Sequence, residues 1–589
     1  MAERILLSLH TRLPLPETYP DGLARSIHFA VSDGGAATPL RANYGILFAE
    51  GTLDASNVIK PKGVKNPMIS RLPDGGFAIT AVRTCENGSK DEESRGQFLL
   101  WRSHDLCRFT AQRLIAVPGG EYLEAARLTE SEDGRYTALW QDATGRWYTA
   151  CAATLDELAD AEAQAADAPV SGNTVELSRA EYDALLTYWS PLTHTANDVP
   201  ETITAASADE LAAIRVNAVY SDGSTHGKCV DWDLSGVDFA KPGAYPIRGR
   251  MTARSFRFPL VENFADPVLF RWEGKYYFIA TNDGMNDVGL YAKEADTIEG
   301  LFREDCPFHL ILPYDPARHL IQTFWAPEFH VIGGELYILF AVGGEKWAPQ
   351  CHLMHLKKGG SIIDENSWED PIRVLLPNGE NLTDDGISLD MTYFEAGGTP
   401  YVCWSYRFAI GTPLDSGSML YIAKADPARP WQLASEPVLI SRPMYGWENV
   451  QGTINNEGPY ALVTEDTVYL TYSGGDARGY KYVLGFLTAD PTADLTDPAA
   501  WTKSPTAMLA FPDVPGQYGC GHHSYFRDTD GTLYMGYHAA TGYTAKIAMS
   551  SFRRVQIDWE GRPRLDLSAE RDLNPALAEI RTTLIVPEA

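Results

Sequence analysis

Three acidic residues, Asp266, Asp390 and Glu457, each open a run of alternating apolar residues that is followed by a turn and a second such run. A carboxylate can take a proton from water or attack an anomeric carbon, and a carboxylic acid can protonate a departing oxygen. Two such groups facing one another suffice to hydrolyse a glycosidic bond. A third carboxylate beside the acid raises its pKa by like-charge repulsion and keeps it protonated near neutral pH. Taken singly each residue has a plainer reading: Asp266 before Pro267 as a turn starter, Asp390 as a solvated turn residue, Glu457 before Gly458 and Pro459 as a loop tip. Their recurrence at equivalent places carries the chemical reading.

That recurrence is an internal repeat. Runs beginning at Asp266, Pro327, Asp390, Glu457 and His523 share one pattern: an alternating strand, a turn carrying Gly, Asp or Glu, and a second strand rich in Tyr, Val, Ile and Leu. Successive starts lie about 60 to 67 residues apart, room for a four-stranded blade and its loops. The spacing predicts an all-β chain whose residues 255–589 form a five-bladed β-propeller. Its innermost strands line a central channel, so Asp266, Asp390, Glu457 and His522 converge at one end of it.

Residues 171–254 read as a small β-sandwich, with short strands separated by SDG and KPG turns. They resemble the bacterial immunoglobulin-like modules attached to carbohydrate-active enzymes through YSDGS, VDWD and KPGAY. The acidic run LDELADAEAQAADA, about 155–168, reads as helical or linker-like and marks a boundary. Residues 1–170 are then a β-rich accessory domain, partly propeller-like, with hairpins around Pro67 and Ala126 that do not open with a carboxylate.

Composition narrows the partners. With 49 basic and 78 acidic residues the net charge is −29, a field that repels phosphate backbones and anionic membranes. Neither nucleic acid nor a membrane is an expected partner; an oligosaccharide is. The 14 Trp and 29 Tyr suit stacking on sugar rings, or equally a β-rich core. Eight scattered cysteines, without a CxxC pair or metal-type spacing, read as free thiols in a reducing compartment. The opening MAERILLSLHTRLPLP reads as a strand rather than a signal peptide, so the expectation is a cytoplasmic protein acting on imported oligosaccharides.

The motifs resemble glycoside hydrolase family 43 across the last 330 or so residues: Ala265-Asp266-Pro267, Trp325-Ala326-Pro327-Glu328 followed by His330, Ser388-Leu389-Asp390, Glu457-Gly458-Pro459 and Gly519-Cys520-Gly521-His522. The resemblance implies that Asp266 is the general base, Glu457 the general acid, and Asp390 the residue that tunes the acid and orients the sugar. It also implies inversion and no redox cofactor. Some members hold a channel cation, calcium or sodium, near the equivalent of His522. Here His523 follows where Asn is common, leaving open which histidine faces the channel. Candidate substrate contacts are Trp325, which could equally be blade core, Arg407, Trp447, Glu448 and His522. Glu328 and His330 read as blade structure. The family's usual sugars are α-L-arabinofuranosides and β-D-xylosides, and a cytoplasmic enzyme would trim imported oligosaccharides from their ends, so the expectation is an exo-acting α-L-arabinofuranosidase, with a β-xylosidase or a non-catalytic carbohydrate-binding propeller as alternatives.

Overall fold

The computed structural model describes residues 4–450, 454–545 and 548–588. Strands dominate, and the chain forms two compact units: residues 1–189, 261–524 and 537–550 in one, residues 190–260, 525–536 and 551–589 in the other.

In the first unit four blades follow one plan, each an antiparallel sheet of four strands in chain order. Their innermost strands are Ala265–Trp272, Gln322–Ile332, Gly386–Ala396 and Asn456–Val463. Burial on both faces of the inner strands comes from Val, Ile, Leu and aromatic side chains packed between neighbouring blades, as where Phe329 stacks on Phe270 at 5.0 Å. The fifth sheet closes the ring differently. Its inner strand is Tyr518–Arg527, followed by Leu533–Ala540 and Met549–Arg554, and its outermost strand is Val261–Glu262, which precedes the first blade in the chain. The predicted five-bladed propeller is thus built, with the ring closed by strands from both ends of the repeat.

The N-terminal part of this unit holds three more four-stranded sheets. One of them, Lys62–Arg71 with Phe77–Cys85, Gln97–Ser103 and Arg113–Ala116, carries the hairpin read from sequence at Pro67. The acidic run expected to be helix or linker instead makes a short 3-10 turn, Asp156–Asp160, and an edge strand, Gln164–Ala166, that pairs with Trp147–Ala152. Leu158, fully buried, pins the turn. Strand Thr174–Leu177 and helix Arg179–Trp189 also belong here, so this unit runs past the boundary expected at residue 170.

The second unit is built on a six-stranded sheet in the order His194–Asp198, Val216–Tyr220, Thr225–Asp233, Gly243–Thr252, Glu579–Val586, Thr202–Thr204. The strand Glu579–Val586, read with the propeller from sequence, pairs over its whole length with Gly243–Thr252. A buried network centred on Asp572 ties this unit together: Lys228, Arg554 and the Tyr220 hydroxyl all reach its carboxylate. All eight cysteines are free, and Cys151 and Cys229 are exposed.

Candidate active site

The inner strands of the first four blades share an irregularity. The pairing of each with its second strand slips between Ala265 and Val268, Trp325 and Glu328, Leu389 and Thr392, and Glu457 and Tyr460. A residue in the left-handed region sits at each slip: Asp266 (φ 53°), Ala326 (φ 46°), Asp390 (φ 57°) and Gly458 (φ 55°). His522, at φ 38°, takes the matching place in the fifth. Proline follows in three of the four, and a residue without an N–H cannot keep the ladder regular. Left-handed backbone costs a non-glycine residue about 1–2 kcal/mol, so its survival at Asp266, Asp390 and His522 marks positions where orientation matters more than ease of folding. Glu457 stands one residue before this position, beside Gly458. The missing side chain is required there, because a Cβ on Gly458 would lie 3.1 Å from the His522 ring.

These positions bring Asp266, Asp390, Glu457 and His522 into one buried cluster. Asp266 Oδ1 lies 3.1 Å from His522 Nδ1 and 3.2 Å from His538 Nδ1, and Oδ2 accepts from the Thr281 hydroxyl at 2.5 Å. The Asp266 backbone N–H points at the same His538 nitrogen, 3.2 Å away. Burial pushes the Asp266 carboxyl upward, but His522, His538 and Thr281 together outweigh it and hold the pKa down at about 2. Asp390 accepts from the Gly458 N–H at 3.0 Å and the Ser405 hydroxyl at 3.3 Å. Its pKa is raised, by burial first, with His522 opposing and the charge of Asp266 assisting. Glu457 Oε1 accepts from the Tyr482 hydroxyl at 2.9 Å. Burial and then the charge of Asp390 push Glu457 up to about 7, against the opposing pull of His522 and Tyr482. Burial alone would lower His522, yet the carboxylates around it, Asp266 foremost, raise its pKa. The arrangement therefore holds one carboxylate ionised and another protonated near neutral pH, the two states that acid–base hydrolysis requires.

His522, not His523, faces these acids. His523 turns its Nε2 to the Thr471 hydroxyl, and burial lowers its pKa to about 3. Two expected contacts are corrected. Trp447 is fully buried, stacks between Tyr445 and Tyr472, and donates its indole N–H to the Pro505 carbonyl, so it is core. Glu448 is equally buried and spends its carboxylate on Lys503 (2.6 Å), the Tyr472 hydroxyl, Asn456 and the Tyr445 N–H. A buried charge so fully paired is structural. Arg407 is half-buried and forks onto both oxygens of Asp415 at 2.8 and 2.7 Å. Trp325 is half-buried on the second inner strand. Glu328 and His330 pair with each other at 2.7 Å.

Sequence reading missed the groups that orient the acids: Thr281, Ser405, Tyr482 and His538. Thr281 and Ser405 lie on second strands, paired with Ala265 and Leu389, next to the slips. Ser473 is the fourth-blade counterpart, paired with Glu457, and its hydroxyl accepts from the His522 N–H at 2.8 Å. A hydroxyl residue recurring at the end of the second strand was the available signal.

Among the described residues no three His, Cys, Asp or Glu side chains are grouped to hold a metal ion directly. His522 Nδ1 is turned to Asp266 at 3.1 Å.

Over 280 residues the chain is 34% identical to the extracellular exo-alpha-(1->5)-L-arabinofuranosidase of Streptomyces avermitilis, covering 47% of this chain and 54% of that protein. It is 32% identical to the protein of the same name from Streptomyces chartreusis over 46% of this chain and 78% of that one. The chain thus spans about half the length of the first of these relatives. Among solved structures, an α-L-arabinofuranosidase from Lactobacillus brevis is similar at 28% identity with a TM-score of 0.46, covering 52% of this chain and 95% of that chain. Both Streptomyces relatives are named extracellular, which overturns the expectation of a cytoplasmic protein and points to a secreted one. The family described as glycosyl hydrolases family 43 matches residues 256–558, the propeller that carries Asp266, Asp390 and Glu457, and the chain belongs to that family.

Proposed function

We propose that this glycosidase removes terminal α-L-arabinofuranosyl residues from plant-derived oligosaccharides, by single displacement with inversion. The observation that carries the reading is the split in ionisation within one cluster, with Asp266 held down at about 2 and Glu457 pushed up to about 7. Asp266 takes a proton from water as the water oxygen attacks the anomeric carbon, and Glu457 gives its proton to the departing oxygen. Asp390 holds the Glu457 proton in place through its charge, and its own carboxylate is oriented by Gly458 and Ser405. His522, His538 and Thr281 fix the base. The choice of sugar is supported by the names of the relatives, which are exo-acting arabinofuranosidases.

The test is release of p-nitrophenol from the α-L-arabinofuranoside and the β-D-xyloside, with the anomer of the first-formed sugar followed by NMR. Turnover of the arabinofuranoside with inverted product supports the reading. Preference for the xyloside would replace the sugar, and retained configuration would replace the mechanism.

A further inference from the structure

A second concave site lies over the second blade, a cavity of about 660 Å³ lined in part by Arg318, Lys346, Trp347, Asp370, Arg373 and Asp384. Lys346 and Trp347 follow the second strand of that blade, Glu335–Gly343; Arg373 ends its fourth, Ile372–Arg373; Arg318 precedes its first, and Asp384 precedes the first strand of the next blade. In an antiparallel four-stranded blade, the start of the first strand and the ends of the second and fourth share one face. The cavity therefore opens on the face where Asp266, Asp390 and Glu457 stand, displaced outward from the channel.

Its polar groups are unevenly spent. Asp370 accepts from Arg318 at 2.8 Å, and Arg318 also forks to Asp315. Asp384 accepts from Asn381 and lies 3.8 Å from Arg373. Among the described residues, Lys346 has no carboxylate partner, and the Arg373 Nε and Trp347 Nε1 atoms are buried without an acceptor. Arg373 also donates to the Thr383 carbonyl, and the Asp370 and Asp384 carboxylates are mostly exposed; the buried groups left without a partner, Arg373 Nε and Trp347 Nε1, are donors, and Lys346 adds a second positive charge, in a chain whose net charge is −29. The Arg373 guanidinium lies 5.6 Å from the Trp347 ring, so an aromatic surface stands beside these donors. A cavity of this volume holds a sugar ring or two.

We propose that this cavity binds an acidic sugar, a hexuronate, with its carboxylate on Lys346 and Arg373 and its ring against Trp347. The source of such a sugar, a uronic acid elsewhere on the oligosaccharide being cleaved, rests on the glycosidase reading; the binding itself does not. A carboxylate meets Lys346 and Arg373 with charge-assisted hydrogen bonds, where the hydroxyls of a neutral sugar offer only weaker neutral acceptors, and this makes the site selective for the charged sugar.

The test is an equilibrium titration of the full chain with methyl β-D-glucuronide, methyl β-D-glucoside and inorganic phosphate, repeated on Lys346→Ala, Arg373→Gln and Trp347→Phe. The uronide should bind about tenfold more tightly than the glucoside, a preference that Lys346→Ala lowers by about tenfold. Lys346 is exposed, so that variant keeps the fold, and its turnover of p-nitrophenyl α-L-arabinofuranoside should equal that of the parent. Equal binding of uronide and glucoside, or a preference that survives in both cation variants, would overturn the proposal. Phosphate binding as tightly as the uronide would overturn the sugar assignment. Because binding is read without turnover, failure of the glycosidase reading would show in hydrolysis alone.

Discussion

The N–H of Gly458 donates to Asp390 at 3.0 Å, so the peptide that follows Glu457 is anchored by the carboxylate that raises the pKa of Glu457. One contact sets both the position of the acid and its protonation, and the two effects can be separated by experiment.

Replacing Asp390 by Asn keeps a hydrogen-bond acceptor for Gly458 and removes the charge. On the proposed mechanism activity requires Asp266 ionised, a condition met above about pH 2, and Glu457 protonated, a condition lost as pH rises through about 7. Without the Asp390 charge the Glu457 pKa falls, and the alkaline limb of kcat/KM moves to lower pH. His522→Asn should act in the opposite sense on that limb, because the His522 charge lowers Glu457, and should also raise the acid limb set by Asp266. A pH–rate profile in which both variants shift the alkaline limb the same way would sink this electrostatic account.

Asp266→Asn removes the base without changing its shape. The expected loss in kcat is about 10²–10⁴-fold, with an unchanged circular dichroism spectrum and a lower melting temperature, because a carboxylate held down at about 2 stabilises the fold at neutral pH. Parental turnover would exclude the base role.

For Glu457→Gln, the penalty should depend on the leaving group. An activated aryl glycoside departs without much help, whereas a sugar alcohol needs the proton. Parallel kcat measurements on a dinitrophenyl arabinofuranoside and an arabino-oligosaccharide should differ in their losses by an order of magnitude or more; equal losses would count against the acid role.

The two tryptophans first read together should part company. Trp447→Ala empties a site in the core and should cost about 3–5 kcal/mol in denaturant unfolding. Trp325, only half-buried, should lose little stability on substitution, and any effect should fall on KM. A stability loss at Trp325 matching that at Trp447 would make it core as well.

The repeat was legible because its signal is redundant: alternation, turn residues and spacing recur five times, and a blade needs all of them. The acids were legible for the same reason, each lying at a fixed place in the pattern. Trp447 and Glu448 were misread because a lone Gly-Trp-Glu in a loop has no periodicity to say which way it faces, and burial there is decided by strands distant in sequence. Tyr482 and His538 escaped because their role lies in contacts with Glu457 and with Asp266 that only the closed ring brings about. The one-residue offset of Glu457 from Asp266 was marked in the sequence only by the prolines, Asp266 directly preceding Pro267 and Glu457 standing one residue further from Pro459.

Residues of the N-terminal region and of the third and fourth blades share one apolar core: Tyr19, Leu23, Tyr44 and Phe48 pack with Leu420, Trp447, Leu470 and Phe511. Arg41 reaches Asp513 at 3.0 Å with both side chains largely buried, the Tyr480 hydroxyl donates to the Glu17 carbonyl at 2.7 Å, and the Thr506 hydroxyl donates to the Gly45 carbonyl at 2.7 Å. An interior held in common cannot be divided without exposing it, so the first 189 residues are not an interchangeable cassette. Calorimetry should find them melting together with the blades in a single transition, and a chain cut after them should aggregate rather than work alone. The propeller can therefore vary only in step with the segment packed against it.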